Sequence, residues 1–509
     1  MLAKITSAAT AGLAAVPIEV EVDVASRGLP SLSIVGLPDK AVEEAKERVR
    51  AALHNSGIDF PPRRITINLA PADIPKEGPA YDLPIALGIL LASGTIEADL
   101  ANSLFVGELS LDGTVRYVHG VLPMAIMARE EKLTSCFVPI ANASEAAVVS
   151  GITVLPVASI KQLINHLTGV ATIEEQSHRR FEDLKQQIQS DFDMVDVHGQ
   201  ETAKRALEIA AAGGHNMFMR GVPGSGKTML ARTFPTILPD LTEEEAFEVS
   251  KIYSISGQLP IDQALILERP FRSPHHTTSR VGLIGGGSQP KPGEISLAHR
   301  GVLFLDEFPE FPRHVLEGLR QPIEDGVVSI SRAAGSMQYP SKFCLIAAAN
   351  PCPCGYYTSK KRACICSAGD INRYQKKVSG PILDRIDLHV EVPEVEVDKL
   401  TAKKATGEVS VTIKERVERA RRQQRQRLKK TRLLTNAEMS TKQVKIFCQV
   451  DDVCRKLLTQ AVEKLGLSAR SYFKTIKVAR TIADLAGEKE ISLNHVAEAL
   501  SYRPSSVFG

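Results

Sequence analysis

The stretch "GVPGSGKT", Gly221–Thr228, constrains this chain more than any other eight residues in it. It fits the pattern G-x-x-x-x-G-K-[ST], follows the apolar "NMFMR" and runs into the helical "TMLARTF". In that strand–loop–helix setting, glycines let backbone N–H groups wrap a phosphate at a helix N-terminus. Gly221, Pro223, Gly224, Ser225 and Gly226 are the expected cradle, with Lys227 reaching the β- and γ-phosphates and Thr228 ligating Mg²⁺. The strand carrying such a loop has to be buried, which points to an α/β layer around it.

A second, independent motif follows. "GVLFLDE", Gly301–Glu307, reads as a buried strand ending in two carboxylates, Asp306 for the Mg²⁺ shell and Glu307 to polarise an attacking water. The two motifs in this order imply ATP hydrolysis. A third apolar strand, "FCLIAAAN", ends in Asn350, a polar tip able to orient that water. Arg385 in "GPILDRIDLHV" and Arg470 in "LSARSYFKTIKVARTIADL" are candidate arginines for the transferring phosphate. Spacing alone leaves both open as salt-bridge residues.

At 509 residues the chain is too long for one core. Residues 1–170 alternate short strands ("IEVEVDV", "LSIVGL", "RITINLAP") with helical runs such as "DKAVEEAKERVRAALHNSG". Residues 171–194 read as a linker and entry helix, 195–392 as an α/β segment, and 393–509 as helical, with apolar positions three and four apart. The longest apolar run, Leu83–Ile96, is shorter than the ~20 residues that span a bilayer and reads as a buried helix, so no membrane is expected. The N-terminal "MLAKITSAATAGLAAVPIEVEVDV" lacks a distinct apolar centre and passes into strand alternation, the pattern of a first β-strand in a cytoplasmic protein.

Without an export signal, the eight cysteines are expected as thiols or metal ligands. Cys136, Cys344, Cys448 and Cys454 read as small buried apolar residues. The other four fall in "NPCPCGYYTSKKRACIC", as pairs Cys352/Cys354 and Cys364/Cys366. Four thiolates in a basic, turn-rich loop suit a structural tetrahedral Zn²⁺, although C-x-C departs from the commoner C-x₂₋₄-C spacing. Free thiols and an iron–sulfur cluster remain as alternatives. Charge is uneven: Lys414–Arg432 carries ten Lys/Arg against two Glu, a local +8 in a chain of net +3. A solvated helix face and a polyanion contact both fit such a run.

Three further stretches, "FRSPHHTTSRVGLIGGGSQPKPGEISLAHRGVLFLDE", "LRQPIEDGVVSISRA" and "SGPILDRIDLHV", together with the motifs above, resemble the AAA+ ATPases of the magnesium-chelatase/MCM-like group over nearly the whole chain. "PKEGPAYDLPIAL" and "VGELSLDGTVRYVHGVLPMA" resemble the Lon protease domain, but Ala80 stands at the nucleophilic Ser position and Leu122 at the Lys position. No Ser–Lys nucleophile can assemble, so this domain is expected as a scaffold rather than an active protease. The resemblance implies a multi-domain α/β chain: an N-terminal α+β Lon-protease-like (S5-like) domain, a central AAA+ domain and a C-terminal helical lid. It makes Asn350 the sensor-1 residue, Arg385 an arginine finger acting across a subunit interface, and Arg470 the sensor-2 arginine, and so implies a homo-hexameric ring. "GGGSQPKPGEISL" is an insertion of the group, and "VVSISRAAGSMQYPSKF" reads independently as a hairpin; in related ring helicases such elements enter the pore and grip DNA. Lys291 and Arg332 are the pore candidates. The implied activity is branch migration on single-stranded, forked or three-stranded DNA in natural transformation. The alternatives are a chelatase-type remodeller of a protein partner and an ATP-gated assembly factor. A zinc-folded knuckle carrying "SKKR" is expected to project toward DNA or a neighbouring subunit.

Overall fold

The computed structural model describes residues 1–185, 191–287, 290–332, 335–394, 407–431 and 433–504. The chain divides into two compact units, Met1–Gln187 with Thr242–Leu267, and Ile188–Leu241 with Glu268–Gly509.

The first unit is built on a seven-stranded sheet: β1 (Leu2–Ala11), β2 (Ala14–Val24), β3 (Ser31–Val35), β4 (Arg64–Ala70), β5 (Ser103–Phe105), β6 (Ser135–Pro139) and β7 (Thr153–Val157), in the order β3-β4-β2-β1-β5-β6-β7. In β2 the alternation is physical: Ile18, Val20, Val22 and Val24 are buried while Glu19 and Asp23 face out. β1 lies before the strand that this alternation announces. Its "LAKITSAATA" is small and hydroxylated, so the period of two is hard to see in hydropathy. The two join through a two-residue turn with Gly12 at φ +62°, a conformation that favours glycine. The helix Asp82–Ser93 is buried almost throughout and packs on β1 and β2. A Cβ at Gly88 would come within 2.5 Å of Val22 Cγ2, so glycine sets that close approach.

Residues 242–267 lie within the segment that reads as one α/β block in sequence, yet they pack with the first unit. Their helix Glu243–Ser256 starts in a Thr242/Glu245 capping box. It is fixed by Ser254, whose carbonyl accepts from Gly120 N (3.1 Å) and whose hydroxyl donates to Glu145 (2.9 Å). Glu145 is buried, and burial raises its carboxyl to about 7 against the opposing hydrogen bonds of Asn142 and Ser254.

The second unit holds a five-stranded, wholly parallel sheet: β8 (Met217–Gly221), β9 (Phe271–Arg272), β10 (Val302–Leu305), β13 (Cys344–Ala349) and β14 (Leu388–Val392), ordered β9-β10-β13-β8-β14, while β11 (Val327–Arg332) and β12 (Gly335–Pro340) form a separate hairpin. β8, β10 and β13 are buried along their whole length, as parallel strands covered on both faces must be. From Ser410 onward the described residues are helical, with long helices at Ser410–Leu428, Asp452–Leu465 and Ala469–Ala486. This is the mixed α/β architecture with a helical C-terminal region expected of a multi-domain AAA+ chain. One apolar core runs from the sheet into these helices. A buried polar cluster pins them there: Asp387 meets Lys474 Nζ at 2.9 Å and His215 Nδ1 at 3.2 Å, and His215 Nε2 meets Thr481 at 2.8 Å. Burial alone would raise Asp387; Lys474 and His215 hold it well below the carboxylate range. Among the described residues no helix is long and apolar enough to cross a membrane.

Candidate active site

β8 delivers the phosphate loop, and the helix Lys227–Thr233 leaves it. Gly224 (φ +75°) and Gly226 (φ +89°) sit where side chains are disfavoured, and nothing lies within 4 Å of a Cβ built at either, so the loop turns with its backbone open. Lys227 is buried, and its Nζ donates to Gly221 O (2.8 Å), Val222 O (2.9 Å) and Asn350 Oδ1 (3.3 Å). Burial lowers its pKa, opposed by the charge of Asp306. Thr228 Oγ1 donates to Asp306 Oδ2 at 2.9 Å, which puts the hydroxyl and carboxylate suited to Mg²⁺ side by side.

β10, β13 and β8 are adjacent, so Asp306, Glu307, Asn350 and Lys227 gather at the same edge of the sheet. Glu307 lies at φ +49° and its carboxylate meets His276 Nδ1 at 3.1 Å. Sequence reasoning missed His276. Its signal is the pair in "SPHHTT" just after β9, and nothing in one sequence marks it as facing Glu307. Arg385 and Arg470 come together elsewhere. Arg385 Nη2 donates to Glu324 Oε2 (2.8 Å), Arg470 Nη2 donates to Glu324 Oε1, and Arg385 Nη1 donates to Pro381 O (2.6 Å). Among the described residues neither arginine bonds to Lys227, Thr228, Asp306 or Glu307.

The four sulfurs of Cys352, Cys354, Cys364 and Cys366 all lie within 4.8 Å of one another, with separations of 3.3 Å (Cys352–Cys354), 3.7 Å (Cys352–Cys364) and 3.5 Å (Cys354–Cys364). Sulfurs around a tetrahedral zinc at about 2.3 Å would stand about 3.8 Å apart, so the donor set fits that ion. N–H groups of Tyr356 and Ile365 lower Cys354 to about 6, and burial raises Cys352 to about 12. Cys136, Cys344, Cys448 and Cys454 are buried and apart from the cluster. The knuckle, expected as a projection, packs back on the phosphate loop through Gly355, where a Cβ would come within 2.6 Å of Pro223 Cγ.

Three family models match the chain. "Magnesium chelatase, subunit ChlI" covers residues 193–400, "Subunit ChlI of Mg-chelatase" covers 20–142, and "Magnesium chelatase, subunit ChlI C-terminal" covers 407–503. Competence protein ComM of Haemophilus influenzae is 44% identical over 508 residues, spanning 99% of this chain and 97% of ComM. The uncharacterized protein YifB of Escherichia coli K12 is 42% identical over 501 residues, spanning 97% and 96%. The chain belongs to the ComM/YifB family of magnesium-chelatase-like AAA+ proteins. The magnesium-chelatase subunit ChlI of Cyanidium caldarium is a more distant likeness, 25% identical over 247 residues, 43% of this chain and 63% of that protein.

Membership of this AAA+ family implies ATP and Mg²⁺, and the residues above fit them. The Gly285–Pro292 ribbon and the β11–β12 hairpin are joined by a hydrogen bond. Lys291 is exposed on a two-residue ribbon pairing Gly285–Gly286 with Lys291–Pro292, and Tyr339 of the hairpin donates to Pro290 O at 2.6 Å. Arg332 ends β11, opposite Gly335; the turn residues Ala333 and Ala334 lie outside the described residues. The basic run is narrower than its sequence suggests. Lys414 pairs with Asp240, Arg416 with Glu208 and Glu408, and Arg427 with Asp484, while Arg421 donates to Ala211 O. Arg419, Arg422, Arg425, Lys429 and Lys430 face outward, and Arg432 lies outside the described residues.

Proposed function

We propose that this chain is an Mg²⁺–ATP-driven hexameric motor on DNA, a branch-migration helicase acting on recombination intermediates in natural transformation. Lys227 exchanges its carbonyl partners for the β- and γ-phosphates, the glycines donate backbone N–H groups, Glu307 polarises water and Asn350 orients it. Mg²⁺ held by Thr228 and Asp306 offsets phosphate charge. Arg385 leaves Glu324 to reach the phosphate of a neighbouring subunit, with Arg470 closing the lid, and Lys291 and Arg332 grip the strand in the pore. The four thiolates hold a structural zinc. The N-terminal domain, with buried Ala80 and Leu122 in place of a nucleophile and its base, is a scaffold rather than a protease.

The observation that carries DNA as the partner is the outward face of the lid helix, where Arg419, Arg422, Arg425, Lys429 and Lys430 are exposed without a carboxylate partner among the described residues. The ComM likeness supports the same partner. Forked DNA titrated across a salt series tests it. Arg419→Gln/Arg422→Gln/Arg425→Gln should weaken binding about tenfold or more and flatten the log–log salt slope by about 2 to 3. An unchanged slope would favour a chelatase-type remodeller of a protein partner, a reading suggested by the cations of this helix that already serve internal pairs.

A further inference from the structure

Residues 350–367 contain no helix or strand, yet they border the nucleotide site. A loop of that length has no backbone ladder to hold it in place. Its local bonds are few: Gly355 N to Cys352 O (2.9 Å), Ser359 N to Tyr356 O (3.0 Å), and Arg362 Nη1 to Tyr356 Oη (2.9 Å). The four-sulfur cluster is what ties the two ends of the loop together. Gly355, one residue beyond the first cysteine pair, rests against the Pro223 ring of the phosphate loop. Ser359 Oγ donates to Glu394 and accepts the N–H groups of Lys361 (3.2 Å) and Arg362 (3.0 Å). Lys361 and Glu394 then line one side of a cavity of about 400 Å³ whose lining also includes Asp196, His198, Met229 and Pro223–Gly226.

We propose that this knuckle is a zinc-folded wall of the nucleotide pocket and that Lys361, carried on it, binds the nucleotide. The ligand class is a nucleoside di- or triphosphate: its phosphates take the loop Pro223–Gly226, and Lys361, which lines the same cavity, supplies a cation on the knuckle side of the bound ligand. A metal that orders the wall and a nucleotide that contacts it are linked, so each raises the affinity of the other by the same factor. The inference rests on the ATP-site reading and deepens it, and DNA plays no part in its test.

The experiment measures zinc per full-length chain by atomic emission. It then titrates fluorescent ADP against the zinc-loaded protein, the protein stripped with chelator under reductant, and the protein reloaded with zinc. One zinc per chain is expected, with a Kd that rises on stripping and recovers on reloading. Lys361→Ala keeps all four thiolates; it should retain zinc and raise the ADP Kd about threefold to tenfold, the size of one partly exposed charge-assisted contact. Saturating ADP should slow zinc release to a coloured chelator. Absence of zinc, or a Kd unchanged both in stripped protein and in Lys361→Ala, overturns the inference while leaving the ATP site standing. Failure of the zinc-loaded wild type to bind ADP overturns both.

Discussion

Glu307 occupies the left-handed backbone region at φ +49°, an unusual place for a glutamate. Its N–H donates to Asp306 Oδ1 at 2.9 Å, so the two acidic residues are set by one turn while their carboxylates serve Thr228 and His276 separately. That division predicts distinct losses. Glu307→Gln keeps the shape and removes the carboxylate proposed as the base: turnover should fall by about 10²–10⁴-fold while the ADP Kd stays nearly unchanged. Turnover that survives would assign the base elsewhere. Glu145 makes a prediction about pH. Its folded pKa of about 7 lies above the usual 4.5, so its contribution is fully present below pH 4.5 and is lost as pH rises through 7. The first unit should therefore lose about 3 kcal/mol between those limits on account of this residue. Glu145→Gln should flatten that part of the pH profile of thermal unfolding, and an unaltered profile would contradict the assignment.

Between elements, Glu324 holds Arg385 of the segment before β14 and Arg470 of the helix Ala469–Ala486 on one carboxylate. In the proposed mechanism both arginines move to phosphate, and a side chain that occupies them competes for that move. Glu324→Gln should raise ATP turnover about threefold, in line with two partly exposed ion pairs; a decrease would mean that the pairing supports activity. The phosphate loop, the acidic strand end and the cysteine cluster were legible in the sequence because their chemistry demands fixed residue types at short spacing. Glu324, His276 and the Gly355–Pro223 contact were not, because each pairs residues whose proximity depends on how distant loops return. β1 was obscured by its small residues. The packing of Glu243–Ser256 with the first unit was obscured too, since a buried helix carries no mark of which core receives it. The basic run showed its charge but not its division. Lys414, Arg416, Arg421 and Arg427 turn inward, and only three-dimensional neighbours decide that.

For the whole molecule, each unit has its own apolar core, and the second carries the phosphate loop, the Gly285–Pro292 ribbon, the β11–β12 hairpin and the exposed cations. The proposed motor must make hydrolysis depend on its track. The most direct measurement is steady-state ATP hydrolysis with and without single-stranded and forked DNA, with Glu307→Gln as the inactive control. The account predicts several-fold stimulation by DNA that is absent in the control and weakened in Arg419→Gln/Arg422→Gln/Arg425→Gln. Hydrolysis by the wild type that is indifferent to both DNAs would contradict it and turn the search to a protein partner.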